Sequence, residues 1–148
     1  YLYAADRLRR RGVSNVRMLH TDAAEFLRWR CPDAIVSVIH LYFSDPWPKK
    51  KHHKNRVVQH EFLGEVWRVL VPGGELRVVT DHDELWAWDL EHFRAWTEPS
   101  ETAGTRFAME TFVPPDWVGD GQLVGTNYER KMCVAKSAHA CVLRKPVA

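Results

Sequence analysis

The chain has 148 residues, 45% of them hydrophobic, which suffices for one domain with one core. Its formal charge of +2 is only mildly basic, so any affinity for nucleic acid must come from local clustering. Three cysteines (Cys31, Cys133 and Cys141), odd in number and without CxxC or CxxH spacing, argue against a disulfide frame or a zinc site and for reduced, cytoplasmic thiols. No apolar run approaches the ~20 residues of a membrane span. The first residue is Tyr1, no signal-peptide pattern follows, and the opening helix reads as entered partway.

In chain order, "YLYAADRLRRRG" places Leu2, Ala5 and Leu8 on one helical face and stops at Gly12. "NVRMLHTD" alternates Val16, Met18 and His20 and predicts a strand, and "AAEFLRWR" a short helix ended by Cys31-Pro32. "AIVSVIHLYF" (34–43) is β-branched and almost continuously apolar, as expected of a parallel strand covered on both faces. "RVVQHEFLGEVWRVL" spaces Val57, Val58, Phe62, Val66 and Leu70 as a helix that "PGG" would stop. "ELRVVTD" predicts a strand and "DELWAWDLEHFRAW" a helix whose Trp86, Trp88, Phe93 and Trp96 serve packing. Farther on, "TRFAMETFV" and "AHACVLRK" suit strands and "YERKMCVAKS" a short helix. The alternation implies a Rossmann-like α/β fold: an open, mostly parallel sheet with helices on both faces, in a single domain over 1–148.

Ligands of such sheets bind beyond the carboxyl ends of the strands. Asp22, Asp45 and Asp81 each follow a predicted strand there. Each also suits a helix N-cap, but the three converge on one edge. Beside them "FSDPWPKKKHHKNR" carries five of the 21 Lys+Arg between Lys49 and Arg56, without an acid until Glu61. A solvated loop is the plain alternative. His52, His53, His60 and His82 show no convincing metal spacing and no metal is expected. His20 and His40 read as satisfied core histidines. Cys133 has no neighbouring base and is set aside as a nucleophile. "VGDGQLVG" (118–125) imitates a glycine-rich cofactor loop but lacks the strand-turn-helix context that would make it one.

"FSDPWPKKKHHKNRVVQHEFL" resembles the signature of bacterial tRNA (guanine-N7-)-methyltransferases, class I S-adenosylmethionine-dependent enzymes. "HTDAAEFL", "LVPGGELRVVTD" and "GTNYERK" are similar to further elements of that family, so the likeness covers nearly the whole chain. The resemblance implies methyl transfer from S-adenosylmethionine to guanine N7 at position 46 in the tRNA variable loop, in the cytoplasm. It implies that Asp22 contacts the cofactor adenine and that Asp45 lies between cofactor and base as the catalytic acid residue. Lys49, Asp81, Thr126, Asn127, Tyr128 and Glu129 would bind substrate. Lys50, Lys51, His52, His53, Lys54, Asn55 and Arg56 would contact RNA. Ser44, Asn127 and Tyr128 depart from the family's proline, lysine and phenylalanine, and the family's glycine-rich cofactor motif is missing, so the chain resembles about the C-terminal two-thirds of the fold. A methyltransferase of exocyclic amines, whose D-P-P-Y motif resembles "DPW", is a second enzymatic reading. A non-catalytic tRNA-binding module is a third. Monomer and homodimer are both open.

Overall fold

The computed structural model describes residues 2–98, 107–132 and 138–147. Helix α1 (Leu2–Arg10) ends where Gly12 turns left-handed at φ 67°, and Gly12 and Val13 return their N–H groups to Arg9 and Leu8. That pairing closes a helix whose last carbonyls would otherwise lack donors. Helix α2 spans Ala23–Arg30, and strand β1 spans Val36–Tyr42. A 3-10 turn, Lys50–Asn55, leads to α3 (His60–Val69), β2 (Leu70–Thr80) and α4 (Asp83–Thr97). Strand β3 (Ala108–Thr111), helix α5 (Asn127–Met132) and strand β4 (His139–Arg144) complete the described elements.

The four strands form one open sheet in the order β1-β2-β4-β3. β1 and β2 are parallel, whereas β4 runs antiparallel to both β2 and β3, so among the described residues the sheet is mixed rather than mostly parallel. Side chains alternate faces along each strand. Leu76, Val78, Cys141 and Leu143 accordingly join Phe62, Leu63 and Val66 of α3, Phe93 of α4 and Leu27 of α2 in the main core. On the opposite face Val79 and Val142 meet Phe112 and Val124, which belong to irregular chain. Helices α2, α3 and α4 pack on the first of these faces.

Three sequence expectations change. Segment 15–22 forms no strand: it is exposed and pairs with no described strand, and an isolated strand has no partner for its amides. Among the described residues β1 is an edge strand rather than one covered on both faces, with Ser37, Val38 and His40 exposed, so His40 is no core histidine, and neither is exposed His20. Finally, α3 stops at Val69 and the chain enters β2 at once, because Ala34 and Ile35 donate to the carbonyls of Arg68 and Val69 and draw them into sheet pairing. "PGG" is then a bulge inside β2, which shifts the register between Val36↔Leu70 and Val38↔Glu75. A Cβ on Gly74 would sit 2.9 Å from the Val71 carbonyl oxygen, so only glycine fits there.

Trp86, Phe93 and Trp96 pack in or against the core as expected. Thr105 and Arg106 of the expected strand, and 133–137 of the expected last helix, lie outside the described residues, Cys133 among them. Cys31 and Cys141 are free and buried. Among the described residues no helix is long and apolar enough to cross a membrane, and no group of His, Cys, Asp or Glu could hold a metal ion.

Candidate functional site

Because β1 and β2 are parallel, their carboxyl ends reach the same edge. The ladder closes with the Phe43 N–H donating to the Val79 carbonyl at 2.8 Å, after which both chains leave the sheet. They carry Asp45 and Asp81 into one cleft of about 340 Å³, lined also by Phe43, Pro46, His82 and Tyr128. Neither carboxylate is spent on capping: His82, not Asp81, caps α4 by accepting from the Leu85 N–H, and Asp45 precedes no helix directly. Asp22, by contrast, is the N-cap of α2, accepting from the Glu25 N–H at 3.0 Å.

The backbone around Asp45 is strained. Phe43 (φ 52°) and Trp47 (φ 43°) are left-handed on either side of it. Such conformations cost of order 1–3 kcal/mol each and persist only where the surroundings impose them. Two hydrogen bonds do so here. Asp45 Oδ1 accepts from the Trp47 N–H at 3.0 Å, and the Pro46 carbonyl accepts from Arg56 Nε at 2.9 Å. Asp45 itself remains exposed, its orientation set by its own turn.

The basic run separates into two populations. Lys49, Lys50, Lys51, Lys54 and Asn55 are exposed, and His52 meets the Trp47 ring edge-on. His53 is half-buried against Trp88, with Nε2 3.2 Å from Glu84 Oε1 but not in hydrogen-bonding geometry. Arg56 is only 2% exposed. Its side chain, expected to contact RNA, has an enclosed guanidinium bonded to Pro46 and Glu84. That bond holds the Glu84 carboxyl below the usual carboxylate range.

The C-terminal motif divides in the same way. Tyr128 packs on Phe43, ring centroids 4.9 Å apart, and its hydroxyl donates to Asp81 Oδ2 at 3.0 Å. That hydrogen bond raises the phenol's pKa, favouring its protonated, donating form. Thr126 Oγ1 accepts from the Glu129 N–H, and exposed Asn127 accepts from Arg130. Glu129, expected to bind substrate, is 1% exposed and accepts from the N–H groups of Leu123, Val124 and Gly125. The glycine-rich loop cradles this chain's own carboxylate, which uses the amides that an anion-binding loop would offer a ligand.

A second cleft, of about 490 Å³, lies on the other side of the Asp45 loop, between Asp22, Trp47, Lys54, Gln59 and Phe62. Lys49 lines neither cleft. Sequence reasoning missed Phe43 and His82 as cleft residues and Glu84 and Trp88 as partners of Arg56. Position beside a strand-end carboxylate was the available signal for the first two. Nothing in the sequence joins position 56 to α4.

The family model described as "Putative methyltransferase" matches residues 1–138. The chain belongs to that family. Among curated proteins it is 38% identical over 104 residues to the tRNA (guanine-N(7)-)-methyltransferase of Halorhodospira halophila, covering 70% of this chain and 43% of that protein. It is 44% identical over 97 residues to the enzyme of the same name from Alkalilimnicola ehrlichii, covering 66% of this chain and 41% of that one. The chain thus spans less than half the length of these relatives. Of solved structures, a SAM-dependent O-methyltransferase from Thermotoga maritima aligns with TM-score 0.51 at 18% identity, over 98% of this chain and 45% of that one. The [4+2]-cyclase SpnF aligns with TM-score 0.54 at 17% identity, over 99% and 63%. These two likenesses show the Rossmann-like methyltransferase fold.

Proposed function

We propose that the chain forms the base-recognising and RNA-facing part of a tRNA (guanine-N7-)-methyltransferase domain, which methylates guanine in the tRNA variable loop in the cytoplasm. The observation that carries this reading is the convergence of Asp45, Asp81 and Tyr128 in one cleft beside an exposed lysine cluster. The names of the relatives support it independently.

The cleft's 340 Å³ lies at the lower end of ligand pockets of about 300–1,000 Å³, a size suited to a nucleobase. Guanine offers N1–H and an exocyclic amine as donors, and Asp45 and Asp81 supply acceptors. Neutral adenine has no N1 proton and would leave an acceptor unpaired. N7 carries a lone pair and no proton, so attack requires no general base. As the purine becomes cationic, fixed carboxylates stabilise the developing charge, while the strained loop holds Asp45 in place. Tyr128 and Phe43 provide aromatic faces at the cleft. Lys49, Lys50, Lys51, Lys54 and Asn55, with His52 and His53 at the edge, form the surface for RNA phosphates.

S-adenosylmethionine, when bound, supplies the electrophilic methyl group. Asp22 fits it: one oxygen is held by the Glu25 N–H, and among the described residues the other has no hydrogen bond. That oxygen can accept from the adenine amine within the 490 Å³ cleft.

The test is methylation of an unmodified tRNA transcript by the full-length protein, with 7-methylguanosine mapped by chemical cleavage at the modified base. One cut in the variable loop, absent with Asp45→Ala, is expected. No cut, with salt-sensitive tRNA binding retained, would make this surface an RNA clamp instead.

A further inference from the structure

We propose that Arg56 is the positioning residue of Asp45, an internal strut that sets the carboxylate-bearing loop and does not itself touch RNA. The inference rests on the methyl-transfer reading above and adds a division of labour inside the basic run. In sequence, Arg56 is the last of five clustered cations. In the fold it is the one among them that is buried.

Two of its guanidinium nitrogens have hydrogen-bond partners. Nε donates to the carbonyl of Pro46, the residue next to Asp45, at 2.9 Å. Another nitrogen donates to Glu84 Oε1 at 2.8 Å, in the first turn of α4. The planar group lies 5.2 Å from the Trp88 ring, and Trp88 is itself tied to the Val58 carbonyl at 2.7 Å. A buried cation is tolerated only when paired and hydrogen-bonded, and this one meets that condition through the loop it supports. Gln59 adds a second tie, its amide donating to the carbonyls of Lys54 and Arg56. The left-handed Trp47 lies directly after the carbonyl that Arg56 holds, so loss of the strut frees the loop to relax and move Asp45. Lysine cannot substitute, because a single ammonium does not reproduce the flat fork that spans carbonyl and carboxylate.

A phosphate contact and a strut respond oppositely to two substitutions in the full-length protein. Arg56→Gln removes a charge: a phosphate contact would lower the salt slope of tRNA binding by about 0.7–0.9, as for one exposed lysine such as Lys54→Ala. A strut leaves the slope unchanged. Arg56→Lys keeps the charge: it would rescue a phosphate contact, whereas for a strut the single-turnover rate at saturating tRNA and S-adenosylmethionine falls at least about tenfold, as misplacement of a reacting group does. Glu84→Gln, which loosens the same strut from α4, is expected to lower that rate several-fold at unchanged slope, and it decides the matter if Arg56 variants do not fold. A reduced slope in Arg56→Gln, a wild-type rate in Arg56→Lys, or a wild-type rate in Glu84→Gln overturns the proposal. If the wild-type protein makes no 7-methylguanosine, the functional reading fails, and the Arg56→Gln slope still decides whether Arg56 meets RNA.

Discussion

The hydroxyl of Tyr128 donates to Asp81 Oδ2 at 3.0 Å, joining residues 47 positions apart. The same ring packs on Phe43, at the root of the Asp45 loop. One side chain thus orients one cleft carboxylate and braces the segment that presents the other. Hydrogen bonds to charged groups contribute about 1.5–3 kcal/mol. Tyr128→Phe keeps the ring contact and loses only the hydroxyl, so kcat/KM for tRNA methylation should fall about tenfold, at 1.4 kcal/mol per decade. Steady-state kinetics across tRNA concentrations would check this. Unchanged kinetics would mean that Asp81 needs no orienting partner.

Glu129 is a support of the C-terminal loop. Glutamine there would set an amide NH₂ against backbone N–H groups that now donate to the carboxylate. Leaving a buried donor unmatched costs about 1–3 kcal/mol. Glu129→Gln should lower the melting temperature by several degrees, and calorimetry reads that directly. A melting curve superposable on the wild type would contradict the buried, structural role.

The exposed lysines should govern affinity. Replacing Lys50, Lys51 and Lys54 together by glutamine should weaken tRNA binding and flatten the plot of log affinity against log salt by about 2–3, from about 0.7–0.9 per contact. Filter binding over a range of salt concentrations measures it. A slope equal to that of the wild type would assign these lysines to solvent.

Asp89 gives the fold a pH dependence. Buried in α4, with Oδ1 lacking a hydrogen-bond partner, its carboxyl is pushed up to about 7 by desolvation, which the Arg56 charge only partly offsets. Between about pH 4 and 7 the folded state therefore keeps a proton that the unfolded chain has released. Stability falls as pH rises through that window, by up to about 4 kcal/mol. Asp89→Asn should remove this slope, gaining stability relative to wild type at pH 8 but not at pH 4. Urea midpoints across the range would show it; parallel curves for the two proteins would exclude it.

Local features are legible in the sequence alone. Periodicity placed α1, α2 and α4, Gly12 marked the end of α1 and Asp22 the start of α2, and the β-branched runs located the parallel β1–β2 pair whose carboxyl ends carry Asp45 and Asp81. The motif around "SDPW" was legible because its chemistry lies in consecutive residues. Burial is not legible there. Arg56 and Glu129 read as surface charges like their neighbours, and nothing local distinguishes Arg56 from Lys54. Their fates depend on groups far away or folded back in space: Glu84 and Trp88 on α4 for one, three successive amides for the other. Likewise "PGG" reads as a helix stop until the pairing of Val69 and Leu70 with the β1 segment makes it a strand bulge. A charge is drawn inside only where the fold brings it partners, and those partners are set by packing, which no short stretch of sequence contains.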